Sequence, residues 1–231
     1  MPFYYYFDPT MLIVLPALIL AFYAQFKVKS AYNAGDQVRT PYGMTGYEAA
    51  RRILDQNGLQ HIRIDLTPGE LTDHYDPRAN VIRLSNRVYH SNTASAVGVA
   101  AHEAGHAVQY AKNYAPIKIR AAIIPVCNFG SMLAMPLFLV GLFLVIEPLM
   151  WLGIIAYSLT ALFQLVTLPV EFNASRRAMN ILSDSGHFTD EQLRASRRVL
   201  SAAALTYVAA LASSLLSLLR LVIIAGRNSR D

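Results

Sequence analysis

The residues best placed to do chemistry are His102-Glu103-Ala104-Gly105-His106. Two histidines four apart share one face of an α-helix, so both imidazoles can reach one metal ion. Glu103 projects roughly 100° from His102 around the helix axis. A carboxylate there stands beside the metal, where it takes a proton from water instead of filling a coordination position. This HExxH spacing is that of zinc-dependent hydrolases. A five-residue pattern also arises by chance, so the surrounding elements must be able to position it.

The sequence predicts a helix around the motif, starting near Ser91 or Asn92 as N-cap and running to about Lys112, ahead of Pro116. Val97, Ala101, Ala104 and Val108 form its small-residue packing side. Upstream, Thr45 and Glu48 make a capping box, and Gly58 is placed to end that helix. Ile62, Ile64 and Leu66 alternate with Arg63 and Asp65 as in a strand, which Pro68-Gly69 ends. Residues 76–80 read as a turn, and Val81–Leu84 as a second strand. That strand is either an edge open to an extended substrate by strand addition or an ordinary core strand.

The motif lies in a chain built for a bilayer. Of 231 residues, 54% are hydrophobic and 15% charged, well under the charged share of about 25% in soluble proteins. The net charge is +5, but the cations form no aromatic-studded patch, which argues against nucleic acid as a partner. The single cysteine, Cys127, excludes a disulfide within the chain. Residues 3–7 are all aromatic and suit a membrane interface. Four apolar spans follow: 9–26, 121–146, 149–168 and 202–225. The first has no Lys or Arg ahead of it and no small-residue cleavage site behind, so it is expected to remain as an anchor. Pro125 and Pro136 are places where the second can kink. Thr189 and Gln192 form another capping box, whose helix can run directly into the last span. The Ala and Ser residues of that span permit close helix packing, and its one charge, Arg220, is near enough to the end to snorkel.

The expected organisation is therefore an anchor helix (1–26), an α+β catalytic domain (27–118), a transmembrane hairpin (119–170), a third-ligand helix with a polar segment (171–201) and a last span with its tail (202–231). Lys27, Lys29, Lys118 and Arg120 flank the first two spans, and segment 171–201 carries five arginines. The positive-inside rule places 27–120 and 171–201 in the cytoplasm, with both termini outside. A hairpin returns the chain to the side it left, so Glu171 emerges on the same face as His102 and His106.

Catalytic zinc takes three protein ligands and a water. Downstream candidates for the third are Glu171, Asp184, His187, Asp190 and Glu191. Glu171 is favoured: it follows a span directly, where an unpaired carboxylate is costly, and it opens a helix that can pack beside the motif. As a helix-terminal acid it has a structural reading too. Oxyanion donors stay open among His187, Arg176, Arg177 and Tyr207. His74 reads as a turn residue, and His61 and His90 as surface or helix-flanking residues.

Five segments together resemble the YugP-type family of membrane neutral zinc metallopeptidases: residues 46–50 (GYEAA), 73–77 (DHYDP), 99–109 (VAAHEAGHAVQ), 171–175 (EFNAS) and 203–207 (AALTY). The resemblance covers nearly the whole chain and implies an integral membrane zinc peptidase. The order of HExxH, membrane hairpin and glutamate is also distantly similar to HtpX and CAAX-type proteases, which often carry an aspartate where this chain has Ser175. The expected fold is mainly α and integral to the membrane, with four transmembrane helices and a small α+β zincin-like catalytic domain at the membrane surface. The expected function is a multi-pass zinc metalloendopeptidase of the cytoplasmic membrane, acting on membrane-associated or misfolded polypeptides. It would hold one Zn2+ through His102, His106 and Glu171, with Glu103 as general base and acid. A non-catalytic zinc-binding scaffold or chaperone, and a zinc hydrolase of non-peptide bonds, are the alternatives. Glu103 argues against the scaffold, because a structural zinc site has no use for a base.

Overall fold

A computed structural model describes residues 8–228, and the fold is mainly helical with one small sheet. The aromatic residues 3–7 and Arg230 lie outside the described residues. Seven α-helices and three strands follow in chain order: α1 (Met11–Asp36), α2 (Gly46–Gln56), β1 (Arg63–Thr67), β2 (His74–Asp76), β3 (Val81–Ser85), α3 (Asn86–His90), α4 (Ala94–Ala111), α5 (Ala115–Phe143), α6 (Glu147–Asp184) and α7 (Asp190–Asn228). Four of them, α1, α5, α6 and α7, are long and apolar enough to cross a membrane.

The chain divides into two compact units. One comprises residues 8–24, 119–168 and 206–228. Its helices carry large apolar side chains on the outside, among them Phe22, Phe129, Met132 and Ile155, all more than half exposed. Water would penalise such a surface, whereas lipid tails solvate it. Glycines let the hairpin helices approach closely: a Cβ on Gly153 would stand 2.6 Å from the backbone nitrogen of Phe138 and 2.8 Å from the carbonyl oxygen of Ala134. Arg220 does not simply reach for solvent. Its guanidinium pairs with Asp8 at 2.8 Å and donates to the Thr10 hydroxyl at 3.0 Å, so the start of α1 meets the last turns of α7.

The other unit comprises residues 25–118 and 169–205. The Thr45–Glu48 capping box starts α2 in both directions, and the buried face of α2 is Ala49, Ala50, Ile53 and Leu54. Gly58 follows at φ +72, a left-handed position that suits glycine. The sheet order is β1-β3-β2, with β1 and β3 parallel and β2 and β3 antiparallel. Val81–Ser85 is thus the central strand, not an edge, and it offers no free ladder to a substrate. The edges are β1 and β2; the latter was expected only as loop. The turn at 76–80 is present, closed by the Asp76 carboxylate accepting from the backbone amides of Arg78 and Ala79. Residues 86–90 form the short helix α3, so the motif helix starts later than Ser91 or Asn92, at Ala94 with Thr93 as N-cap.

Two helices run further than the composition suggests. α1 continues past Phe26 to Asp36. α6 runs unbroken through Pro169, so Glu171 lies inside a helix and does not open one. Its reading as a helix-terminal acid is thereby removed.

Candidate metal centre

The motif helix is held at its start by side chains. Thr93 accepts from the Ala96 amide at 3.3 Å, and its hydroxyl donates to Asp36 at 3.0 Å. Asp36 also binds Arg87 at 2.6 Å. Further along, Gly105 faces Ala174 of α6. A Cβ at Gly105 would stand 2.8 Å from the Ala174 carbonyl oxygen, so the two backbones meet where the motif has its glycine. Gly98 packs likewise on Ser196 of α7. The small-residue side of α4 (Val97, Ala101, Ala104 and Val108) is buried, as the sequence predicts.

This close approach sets the histidines opposite residue 171. One side-chain atom from each of His102, His106 and Glu171 lies within 4.8 Å of the others. The Glu171 Oε2 is 3.2 Å from His102 Nε2 and 3.6 Å from His106 Nε2. The Glu171 side chain is 3% exposed and the two imidazoles are 14% and 12% exposed. The rings meet edge to face, with centroids 4.7 Å apart.

The other ring nitrogens are also held. His102 Nδ1 lies 3.1 Å from Ser175 Oγ, and His106 Nδ1 lies 3.0 Å from Gln109 Oε1. Both Nε2 atoms are left facing the carboxylate. Burial pushes the Glu171 carboxyl up, but the hydrogen bond with His102 and the close His106 imidazole outweigh it and hold the group well below the usual carboxylate range. Burial pulls the His106 imidazole down, yet the facing Glu171 carboxylate and the nearby Glu103 charge leave it above its ordinary value. The cluster thus concentrates negative charge against two imidazoles. Two imidazole nitrogens and one carboxylate oxygen, converging in a largely buried spot with their orienting bonds made, are a donor set that fits zinc.

Glu103 neighbours this cluster on α4 and is 9% exposed. Among the described residues no side chain hydrogen-bonds or ion-pairs with its carboxylate. The remaining ligand candidates stand apart: Asp184, His187, Asp190 and Glu191 are all exposed, and His187 lies edge-on to Tyr42 beside an open pocket. Arg177 is engaged with Asn173 at 2.7 Å and Arg176 is exposed. His74 accepts or donates locally, at 2.8 Å from the Thr72 carbonyl, and His61 and His90 are exposed. The sequence reading missed the functional placement of Gln109 and Asn173. The signal available was a polar residue three after His106, on the same helix face as both histidines.

Known proteins resemble this chain over nearly its whole length. Residues 10–226 match the family described as "Putative neutral zinc metallopeptidase". The chain is 49% identical over 219 residues to "Putative membrane protease YugP" of Bacillus subtilis (strain 168), covering 95% of this chain and 97% of that protein. No solved structure matches it. A match over nearly the full length, in a chain that brings His102, His106 and Glu171 together, means that this chain belongs to the family described as neutral zinc metallopeptidases.

Proposed function

We propose that the protein is a multi-pass membrane zinc metalloendopeptidase. The observation that supports it most is the convergence of His102 and His106 Nε2 on the buried Glu171 carboxylate, with the unpartnered Glu103 beside them. His102, His106 and Glu171 would hold one zinc ion. When bound, zinc supplies a Lewis acid that polarises a carbonyl and makes water acidic near neutral pH. Glu103 takes the proton that the attacking water gives up and passes it to the leaving amine nitrogen. Among the described residues no side chain hydrogen-bonds or ion-pairs with Glu103, which suits that role, because a base committed to an ion pair is a poor proton acceptor. Gly105 and Gly98 keep α4 close to its neighbours, so the ligands need little reorganisation. The test is metal removal. Casein cleavage by the full chain in detergent should cease after chelation and return with added zinc. Cleavage unaffected by exhaustive chelation would overturn the proposal.

The substrates are membrane-associated or misfolded polypeptides, and the site faces the cytoplasm. One feature supports that orientation: lysines and arginines gather at 27–120 and 171–201. Reporter fusions at residue 60 and at the C-terminus should report cytoplasm and exterior respectively. An external residue 60 contradicts the orientation.

A further inference from the structure

A fully buried side chain that the chemistry above does not use lies beside the metal cluster. Gln109 is 0% exposed, yet every polar atom of its amide is engaged. Its Oε1 faces His106 Nδ1 at 3.0 Å. Its Nε2 donates to the Val170 carbonyl at 2.8 Å and to Asn173 Oδ1 at 3.0 Å. Asn173 Oδ1 also accepts from Arg177 Nε at 2.7 Å.

The polarity of this chain of bonds is fixed at its far end. A guanidinium only donates, so the Asn173 atom facing Arg177 is the oxygen. That oxygen, like the Val170 carbonyl, can only accept. The Gln109 atom facing both must therefore be the NH2 group, and the atom facing His106 must be the oxygen. A neutral imidazole has one proton to place: Nδ1 meets the Gln109 oxygen at hydrogen-bond distance, 3.0 Å, whereas Nε2 stands 3.6 Å from the Glu171 oxygen, so the proton sits on Nδ1 and the lone pair is left on Nε2. The same amide grips α6 on both sides of Glu171, one residue before it and two residues after it.

We propose that Gln109 is a positioning residue of the metal site. It locks His106 in the tautomer with the proton on Nδ1, which aims the Nε2 lone pair at the metal, and it sets the register of Glu171 against both histidines. Arg177 determines the direction of the lock through Asn173. The contact at His102 cannot do the same, because the Ser175 hydroxyl can donate or accept. This inference rests on the zinc-site reading, since it concerns how that site is prepared.

The test combines zinc affinity with a direct view of the tautomer, on the full chain in detergent. Gln109→Leu should bind zinc about 10–100-fold more weakly than wild type in competition with a chromophoric chelator, the usual cost of losing an outer partner of a ligand histidine. Equal affinity would overturn the proposal. The 15N side-chain spectrum of wild-type His106, recorded where the ring is neutral, should show the proton on Nδ1 both with and without added zinc. A proton on Nε2 in the metal-free protein would also overturn it. That spectrum decides the matter even if Gln109→Leu fails to fold. Wild-type protein that binds no zinc would defeat the zinc-site reading, whereas the metal-free spectrum would still judge the tautomer lock.

Discussion

Replacing Glu103 with glutamine is expected to reduce casein cleavage by about 10^2–10^4-fold, the range lost when a general base is removed, while zinc stays bound. Glutamine matches glutamate in size and can occupy the same largely buried position on α4. It cannot accept a proton. The three converging atoms would remain, because they belong to His102, His106 and Glu171. Separate assays of zinc content and cleavage therefore distinguish a base from a ligand. Zinc lost along with activity would make Glu103 part of the binding set. Equal cleavage by both proteins would contradict Glu103 as the base, and no cleavage by either would leave a scaffold that keeps a metal without using it.

Replacing Glu171 with alanine should weaken zinc binding by more than the roughly 10–100-fold expected for an outer partner. It removes the carboxylate on which both Nε2 atoms converge. It also leaves two largely buried imidazoles with the nearby Glu103 charge but no carboxylate facing them. The effect has a pH signature. Glu171 holds the His106 imidazole above its ordinary value, so a proton competes with zinc for that nitrogen. In wild type, zinc affinity should rise with pH as that proton is displaced. In Glu171→Ala the dependence should move to lower pH, because the facing carboxylate that favours the imidazolium is gone. Chelator competition measured across pH checks both statements.

Much of what positions the site was legible because it is local. The Thr45–Glu48 box, the Gly58 stop and the small-residue side of α4 follow from backbone rules acting within a few residues. The pairing of Glu171 with the histidines across 65 residues followed from the hairpin, which returns the chain to its starting side. Strand order was not legible, because alternation reports which faces are covered but not which edges are paired. The consecutive apolar pair Val81-Ile82 was the hint, since a strand covered on both faces loses its alternation. Pro169 and the polar residues after it looked like a new beginning, but a proline removes only one ladder bond and α6 absorbs it. The role of Gln109 required its two partners on α6, which lie more than 60 residues away.

The central claim is that two imidazole nitrogens and one carboxylate oxygen of this chain hold a zinc ion for hydrolysis. X-ray absorption at the zinc edge, on the purified full chain, tests it most directly. Two imidazole ligands at about 2.0–2.1 Å with oxygen completing the set are expected in wild type, together with one zinc per chain. A protein that retains no zinc, or one whose zinc has sulfur or no imidazole neighbours, would contradict the account.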